Sequence, residues 1–427
     1  MTLSSNTPMN VIEHDGYRYL LFPEQMDWYW QPADVPINED FLPRQIDVNY
    51  DFARNEFDHL LVCVTNRCNI TCDYCFRGFN MKKTEEISFA DFMVVANHFI
   101  AQARHKPTFQ FTGGEVFVKP DIEKWFDYLH ERGTRIWMTT NGVSSKIRND
   151  PTIRRIFSHN PKVHVRVSCD GHTAELYERH RGKPGTFRQV EDNLRYLVSI
   201  GTPTSIKTVI SPENFPYLEE ILDWAYDLGV HGWNYNVMRY TGALAEQPPP
   251  DATCKSAGHI DYVGYTEIGR ALTEIVRRKP HLASLLGISR YGKIIDTLYA
   301  PKPHGVHMMY YVLNYDGEVY LNDNLYTPEY SRGNIWTDGV AAFNGLLEAR
   351  EALDLDLECC KRCPVHRFCF QKGDYGELYL KQSELKAEFP NCPDIRRHFT
   401  DMLALRQEGK QLYRLISKPS DRFPIPE

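Results

Sequence analysis

With 427 residues, the chain has room for one large domain and a smaller companion. Its hydrophobic share of 42% can bury a core, yet no stretch stays apolar long enough to span a bilayer. A net charge of −7 without a long basic run removes the electrostatic case for nucleic acid or an anionic membrane surface.

Residues 1–20 lack the basic and apolar regions of a secretory signal, so the expected setting is the cytoplasm, where thiols stay reduced. The eleven cysteines then read as metal ligands rather than disulfides. Three lie at 68–75, four at 359–369 and one at 392, while Cys63, Cys169 and Cys254 stand alone. Two thiol clusters predict two sites.

In chain order, residues 1–57 are polar and aromatic with Pro-containing turns, and read as a cap segment too short for a peptide-recognition domain of its own. From His59 the pattern alternates. Strands are expected at 59–65, 108–111, 134–139, 162–168, 203–210 and 231–236. Helices are expected at 89–102, 120–132, 145–158, 187–200 and 215–228. Six such repeats make βα units and a parallel sheet, too few for an eight-unit barrel, so the fold class is α/β with an open, partial (β/α)6 barrel over 58–240. Residues 241–300 read as a linker, rich in Pro near 248–250, followed by a helix at 266–278. Over 309–321, MYYVLNYDGEVYL predicts a β-hairpin with a type I′ turn at Asp316–Gly317, opening a Cys-rich domain that fills 301–427.

The segment TNRCNITCDYCF sets Cys68, Cys72 and Cys75 in a loop directly after the first of these strands. Ligands of open α/β sheets bind beyond the carboxyl ends of strands. Thiolates suit iron–sulfur clusters, and three of them leave one iron of a four-iron cube open. A zinc site is the alternative, although zinc motifs pair CxxC with a second CxxC or with His.

The CxxxCxxC loop, with Tyr74 before its last cysteine, resembles the radical S-adenosylmethionine (SAM) superfamily. The next strands end in FTGGE (111–115), TTNG (139–142) and VSCDG (167–171), and RHRGKPGTF follows at 179–187, each where that family carries a SAM-binding segment. The resemblance implies a [4Fe–4S] cluster with an open iron on the three cysteines, and SAM held near Tyr74, Gly113, Gly114, Glu115, Asn141, Ser168 and Arg181. Glu115 would accept from the methionine ammonium, Ser168 would meet the ribose, and Arg181 would pair with the carboxylate. Glycines at such places let backbone approach a ligand.

Cys360, Cys363, Cys369 and Cys392 form a second set that, beside such a core, resembles the SPASM domain of auxiliary clusters. The full pattern has seven cysteines and two clusters. Here His304 or His307, Asn322 and Gly373 stand where the inner cluster's ligands belong, so the resemblance implies one auxiliary [4Fe–4S] cluster, the outer one. A substituted inner cluster using those histidines is the alternative.

That branch mostly modifies peptides. The implied function is oxidative maturation of a ribosomal peptide, forming C–C or C–heteroatom bonds, with a flavodoxin or ferredoxin as reductant and, in some systems, a separate peptide-recognition protein. Sulfatase-maturase-like oxidation of Ser or Cys, with Asp323 as base, is an alternative, as are peptide epimerisation and small-molecule dehydrogenation; Asp323 also reads as a plain turn carboxylate. Tyr235, Met238 and Arg239, at the end of the last barrel strand, are candidate substrate contacts at the mouth. A non-catalytic iron–sulfur scaffold or peptide-binding partner is the non-enzyme alternative.

Overall fold

The computed structural model describes residues 10–14, 17–22, 27–34, 57–75, 85–103, 106–238, 265–279, 281–282, 285–286, 310–321 and 330–345. The N-terminal part is more ordered in pattern than a cap segment. Strands β1 (Asn10–His14), β2 (Tyr17–Phe22) and β3 (Asp27–Pro32) form an antiparallel meander, with Val11 opposite Leu20 and Leu20 opposite Tyr29. The β-branched and aromatic residues of NVIEH, YRYLLF and DWYWQP favour a pleated sheet, a signal masked by the intervening Pro-containing turns.

The main sheet begins with β4 (His59–Cys63), then α1 (Phe89–Gln102), β5 (Thr108–Thr112), α2 (Ile122–Glu131) and β6 (Arg135–Thr140). It continues through α3 (Lys146–Asn149), α4 (Pro151–Phe157), β7 (Val163–Ser168), α5 (Ala174–Arg181), α6 (Phe187–Ser199) and β8 (Thr204–Ile210). Helix α7 (Leu218–Leu228), β9 (Gly232–Val237), α8 (Tyr265–Arg278), the hairpin β10 (Tyr311–Leu313) and β11 (Val319–Tyr320), and the short α9 (Ile335–Asp338) complete it. The strand order is β11-β10-β4-β5-β6-β7-β8-β9, parallel from β10 to β9 and open at both edges, which is the expected partial barrel with two strands added. The hairpin therefore belongs to the same sheet as residues 59–237, with Tyr311 paired to Leu60. No helix among the described residues is long and apolar enough to cross a membrane.

Local chemistry sets the boundaries. Ser88 opens α1 with a reciprocal cap, its Oγ accepting from Asp91 N (3.2 Å) while Asp91 accepts from Ser88 N (2.8 Å). The single helix expected at 145–158 is two. Asp150 before Pro151 is forced out of the helical region (ψ 123°), and its side chain instead caps α4 through Thr152 N and Ile153 N. Helix α5 was not expected; only its last turn enters a stretch read from sequence as a binding motif (179–187), and Thr173 caps it while Gly182 (φ 64°) ends it. The hairpin turn is not type I′. Gly317 is left-handed (φ 80°) but Asp316 is not, and Asn314 accepts from Gly317 N (3.1 Å) while donating to Glu318 O (2.8 Å). That is a three-residue loop ending in a glycine bulge.

The two faces of the sheet differ. One packs on the helices through a continuous apolar core in which Phe92 stacks on Trp125 (4.3 Å, 15°). Burying Phe92 alone contributes roughly 2–3 kcal/mol. The opposite, inner face is apolar near the hairpin, where Leu61, Cys63, Val312 and Tyr320 cluster with Tyr310. It turns polar across β7 to β9, with His164, Arg166, Ser168, Ser205, Lys207, Asn234 and Asn236. Tyr310 interacts electrostatically with Arg166 on β7, four strand spacings from β10, or about 19 Å in a flat sheet. Only a strongly curled sheet brings them together.

Candidate active site

The loop after β4 carries the three cysteines, all free and half-buried. Their charges act on one another: Cys75 and Cys68 each raise Cys72, and Cys75 raises Cys68, so the thiols lie near enough to feel one another. Burial pushes Cys72 up to about 12. Cationic irons offset that preference for the thiol.

Three neighbours brace this loop. The first is the turn after β5. Gly114 N donates to Thr65 O (2.8 Å) and Glu115 N to Arg67 O (2.9 Å), and a Cβ on Gly114 would stand 2.1 Å from Arg67 O. The second is the C-terminus of α5. His180 O accepts from Asp73 N (3.1 Å), Lys183 Nζ reaches Asn69 O (3.2 Å), and a Cβ on Gly182 would meet Thr71 O at 2.1 Å. The glycines of both segments thus admit the cluster loop's backbone. The third is Glu86, which accepts from Thr65 Oγ1 and from Arg67 Nη2 (3.0 Å) and pairs with Lys119 (3.3 Å). Burial opposes its ionisation, but the bonds from Arg67 and Thr65 outweigh it and hold the carboxyl below the usual range.

Glu115 is 1% exposed and ties two strand ends together, accepting from Thr140 Oγ1 (2.6 Å), Phe117 N (3.1 Å) and Asn141 N (2.7 Å). Burial raises its pKa against those bonds. Asn141 turns its amide to the cluster loop, donating to Asn69 Oδ1 (2.7 Å) and lying 3.7 Å from Cys68 Sγ. Arg181 makes the bidentate pairing expected of it, but with Asp170 inside the chain, Nε at 2.8 Å and Nη2 at 2.9 Å. Asp170 also accepts from Tyr74 Oη and Val209 N (2.9 Å). Ser168 sits half-buried on the inner face, paired in register with Lys207.

The candidate substrate contacts divide. Tyr235 stacks on Trp233 (5.4 Å) against the helix-side core, and Met238 is buried. It is the alternate residues Asn234 and Asn236 that share the inner face with Lys207; Asn236 accepts from Lys207 Nζ at 3.1 Å. A one-residue parity difference in a strand exchanges the two faces. Arg239, Asp323, His304, His307, Asn322, Cys360, Cys363, Cys369 and Cys392 lie outside the described residues. Asp170, Glu86 and Lys183 were missed in the sequence; the local signals were Asp170's place inside VSCDG and Lys183's inside RHRGKPGTF, and Glu86 had none.

Residues 62–225 match the model of the Radical SAM superfamily. They form a Radical SAM domain. The chain is 27% identical over 184 residues to an AdoMet-dependent heme synthase of Oleidesulfovibrio alaskensis, covering 43% of this chain and 46% of that protein. It is 24% identical over 185 residues to the antilisterial bacteriocin subtilosin biosynthesis protein AlbA of Bacillus subtilis, covering 43% and 40%. The matched stretch thus spans less than half of each relative. Streptococcus suis SuiB bound to its precursor peptide SuiA shares the fold, with a TM-score of 0.58 at 13% identity, over 78% of this chain and 75% of that one.

The radical SAM domain implies a [4Fe–4S] cluster and SAM, and its donor set fits them. Among the described residues no three His, Cys, Asp or Glu side chains are close enough to hold one metal ion, so the fit rests on three neighbouring thiols of one loop, the donor type an iron–sulfur cluster takes. Asn66, in the same loop, has both amide atoms buried without a partner, an open demand for hydrogen bonds beside the thiols.

Proposed function

We propose that the chain is a radical SAM enzyme that modifies a peptide, as an oxidative maturase of a ribosomal product. The observation that carries this reading is the loop of Cys68, Cys72 and Cys75, braced at the carboxyl end of β4 beside a polar inner face. AlbA's name places it in bacteriocin biosynthesis and SuiB was seen with a precursor peptide, and both support a peptide as the substrate class.

The three thiols would hold the cluster. With SAM on its open iron, the cluster supplies reductive cleavage of SAM to methionine and a hydrogen-abstracting 5′-deoxyadenosyl radical. The chain's own residues hold and orient. Glu115 Oε2, with Asn141 N as its one donor, retains lone pairs for the ammonium of SAM. Arg181 offers Nη1 to the carboxylate while Asp170 fixes its other edge. Ser168 lies two residues from Arg166 at the rim where the ribose would rest. Tyr74 and the α5 terminus cover the loop and limit water there.

Cys360, Cys363, Cys369 and Cys392 are assigned one auxiliary [4Fe–4S] cluster, fully ligated and so suited to carrying an electron rather than to binding substrate. A flavodoxin or ferredoxin is the assigned reductant.

The test is anaerobic reconstitution followed by SAM and dithionite. 5′-Deoxyadenosine should form; none above background would sink the enzyme reading and leave the iron–sulfur scaffold. Where a short peptide is encoded beside this gene, co-expression with it should lower that peptide's mass by two hydrogens. A peptide unchanged both in mass and in the configuration of its residues would move the substrate to a small molecule, the class represented by the heme synthase relative.

A further inference from the structure

Among the described residues, one cation of the inner face has no carboxylate to balance it. Arg166 points from the middle of β7 to the side opposite the helix-packed valines Val163, Val165 and Val167. Its Nε is sealed from solvent without a hydrogen-bond partner. Among the described residues no carboxylate acts on it; Tyr310 is the one charge partner it has. Arg181 and Lys119 of this domain, by contrast, are paired with Asp170 and Glu86. The side chain is half-buried and its sealed Nε is costly to leave unpaired, so a partner that arrives with a ligand is the economical reading.

The surroundings agree. His164 donates to or accepts from Ser205 Oγ (2.8 Å), and burial, then Arg166 and His231, hold it down at about 4, so it stays neutral. His59 is likewise held at about 4 by burial, against a bond from Gln110. Its ring meets Trp137 (6.2 Å) and Tyr310 (5.3 Å), and Trp137 meets His164 (5.9 Å). The result is a patch of neutral rings beside the Arg166 charge. One guanidinium balances one negative charge in a planar, two-oxygen fork, which matches a carboxylate better than a dianion.

We propose that Arg166 is an anion-binding residue of the inner face and takes a carboxylate of the substrate peptide, an Asp or Glu side chain beside the residue that is modified. This rests on the peptide reading above. The other carboxylate within reach is that of SAM itself. Arg166 pairs in register with Thr139 and Ser205, two residues or about 7 Å deeper than Ser168, below the strand ends where SAM would lie.

The experiment loads the reconstituted full chain with SAM, immobilises it anaerobically and selects binders from a library of randomised short peptides. Wild type should enrich Asp or Glu at one position. That enrichment should fall to the input level in Arg166→Gln, persist weakly in Arg166→Lys, and give way to Lys or Arg in Arg166→Glu. The SAM dissociation constant and the thermal melt are measured on each variant, and Arg166→Lys carries the comparison if Arg166→Gln does not fold. Enriched peptides with no acidic position, or with an acidic position that survives in Arg166→Gln, overturn the proposal. A SAM affinity about tenfold weaker in Arg166→Gln, with the peptide preference intact, overturns it in favour of the SAM carboxylate. If wild type enriches no peptide at all, the peptide reading falls and this proposal with it, a result distinct from peptides enriched without acid.

Discussion

Asp170 holds Arg181 at two points, Nε at 2.8 Å and Nη2 at 2.9 Å, and through the same carboxylate it holds the Tyr74 hydroxyl. Burial works against the charge of Arg181, and Asp170 outweighs it. Tyr74 stands between Cys72 and Cys75, so one buried ion pair fixes the last turn of the cluster loop to both β7 and α5.

Asp170→Asn removes the charge and leaves Arg181 buried without its partner, a change that costs about 3–5 kcal/mol where such pairs have been broken. Urea melts of the metal-free chain should show that loss. Iron retained after gel filtration should drop as well, because the loop loses its anchor. Full iron loading in Asp170→Asn would mean that the pair serves only the core.

Gly114→Ala places a Cβ 2.1 Å from Arg67 O, and that backbone cannot retreat without moving Cys68. The variant should fail to assemble the cluster, seen as loss of the visible charge-transfer absorption. Gly185→Ala is the contrast. Nothing lies within 4 Å of its Cβ, so only the positive φ of 80° is strained, costing about 1–2 kcal/mol and leaving the cluster in place.

His59 and His164 are both lowered from 6.5 to about 4 by burial, His164 further by Arg166 and His231. Between those values the unfolded chain binds more protons than the folded one, so stability rises with pH. It is fully present above about 6.5 and is lost as pH falls toward 4, at most about 2 kcal/mol per histidine between pH 7 and pH 5. Denaturant melts at the two pH values should show the slope, and His164→Gln should flatten it. An unchanged slope in that variant would assign the acid sensitivity elsewhere.

Replacing Cys68, Cys72 and Cys75 together by Ala should leave about four irons per chain after reconstitution, those of one auxiliary cluster. About eight would restore an inner auxiliary cluster. None would remove the second site altogether.

The parallel sheet was legible because strands such as HLLVC and TSIKTVI are mostly apolar or β-branched, and because the helices between them have an apolar stripe. Order along the chain also revealed the loop of three cysteines and the strand-end segments. Partners were not legible. Arg181 and Asp170 are eleven residues apart, and nothing in their spacing says that the arginine's fork closes on the aspartate. Tyr235 looked like a contact because it is aromatic near a strand end, whereas pleat parity gives the inner face to Asn234 and Asn236. Helix α5 was hidden between two motifs, only its last turn overlapping the second, and Pro151 divided a helix whose apolar pattern runs on without interruption.

The pairing of Tyr311 with Leu60 sets a schedule for biogenesis. Those partners are 251 positions apart (311 less 60), so the strand that carries the cysteine loop keeps one edge unpaired until most of the chain has left the ribosome. Closing so long a loop is slow, and an exposed strand edge invites association with other chains while it waits. Expression at lower temperature or slower synthesis should therefore raise the soluble yield, and a chain cut before the hairpin should accumulate as aggregate even though every cysteine of the first site is present.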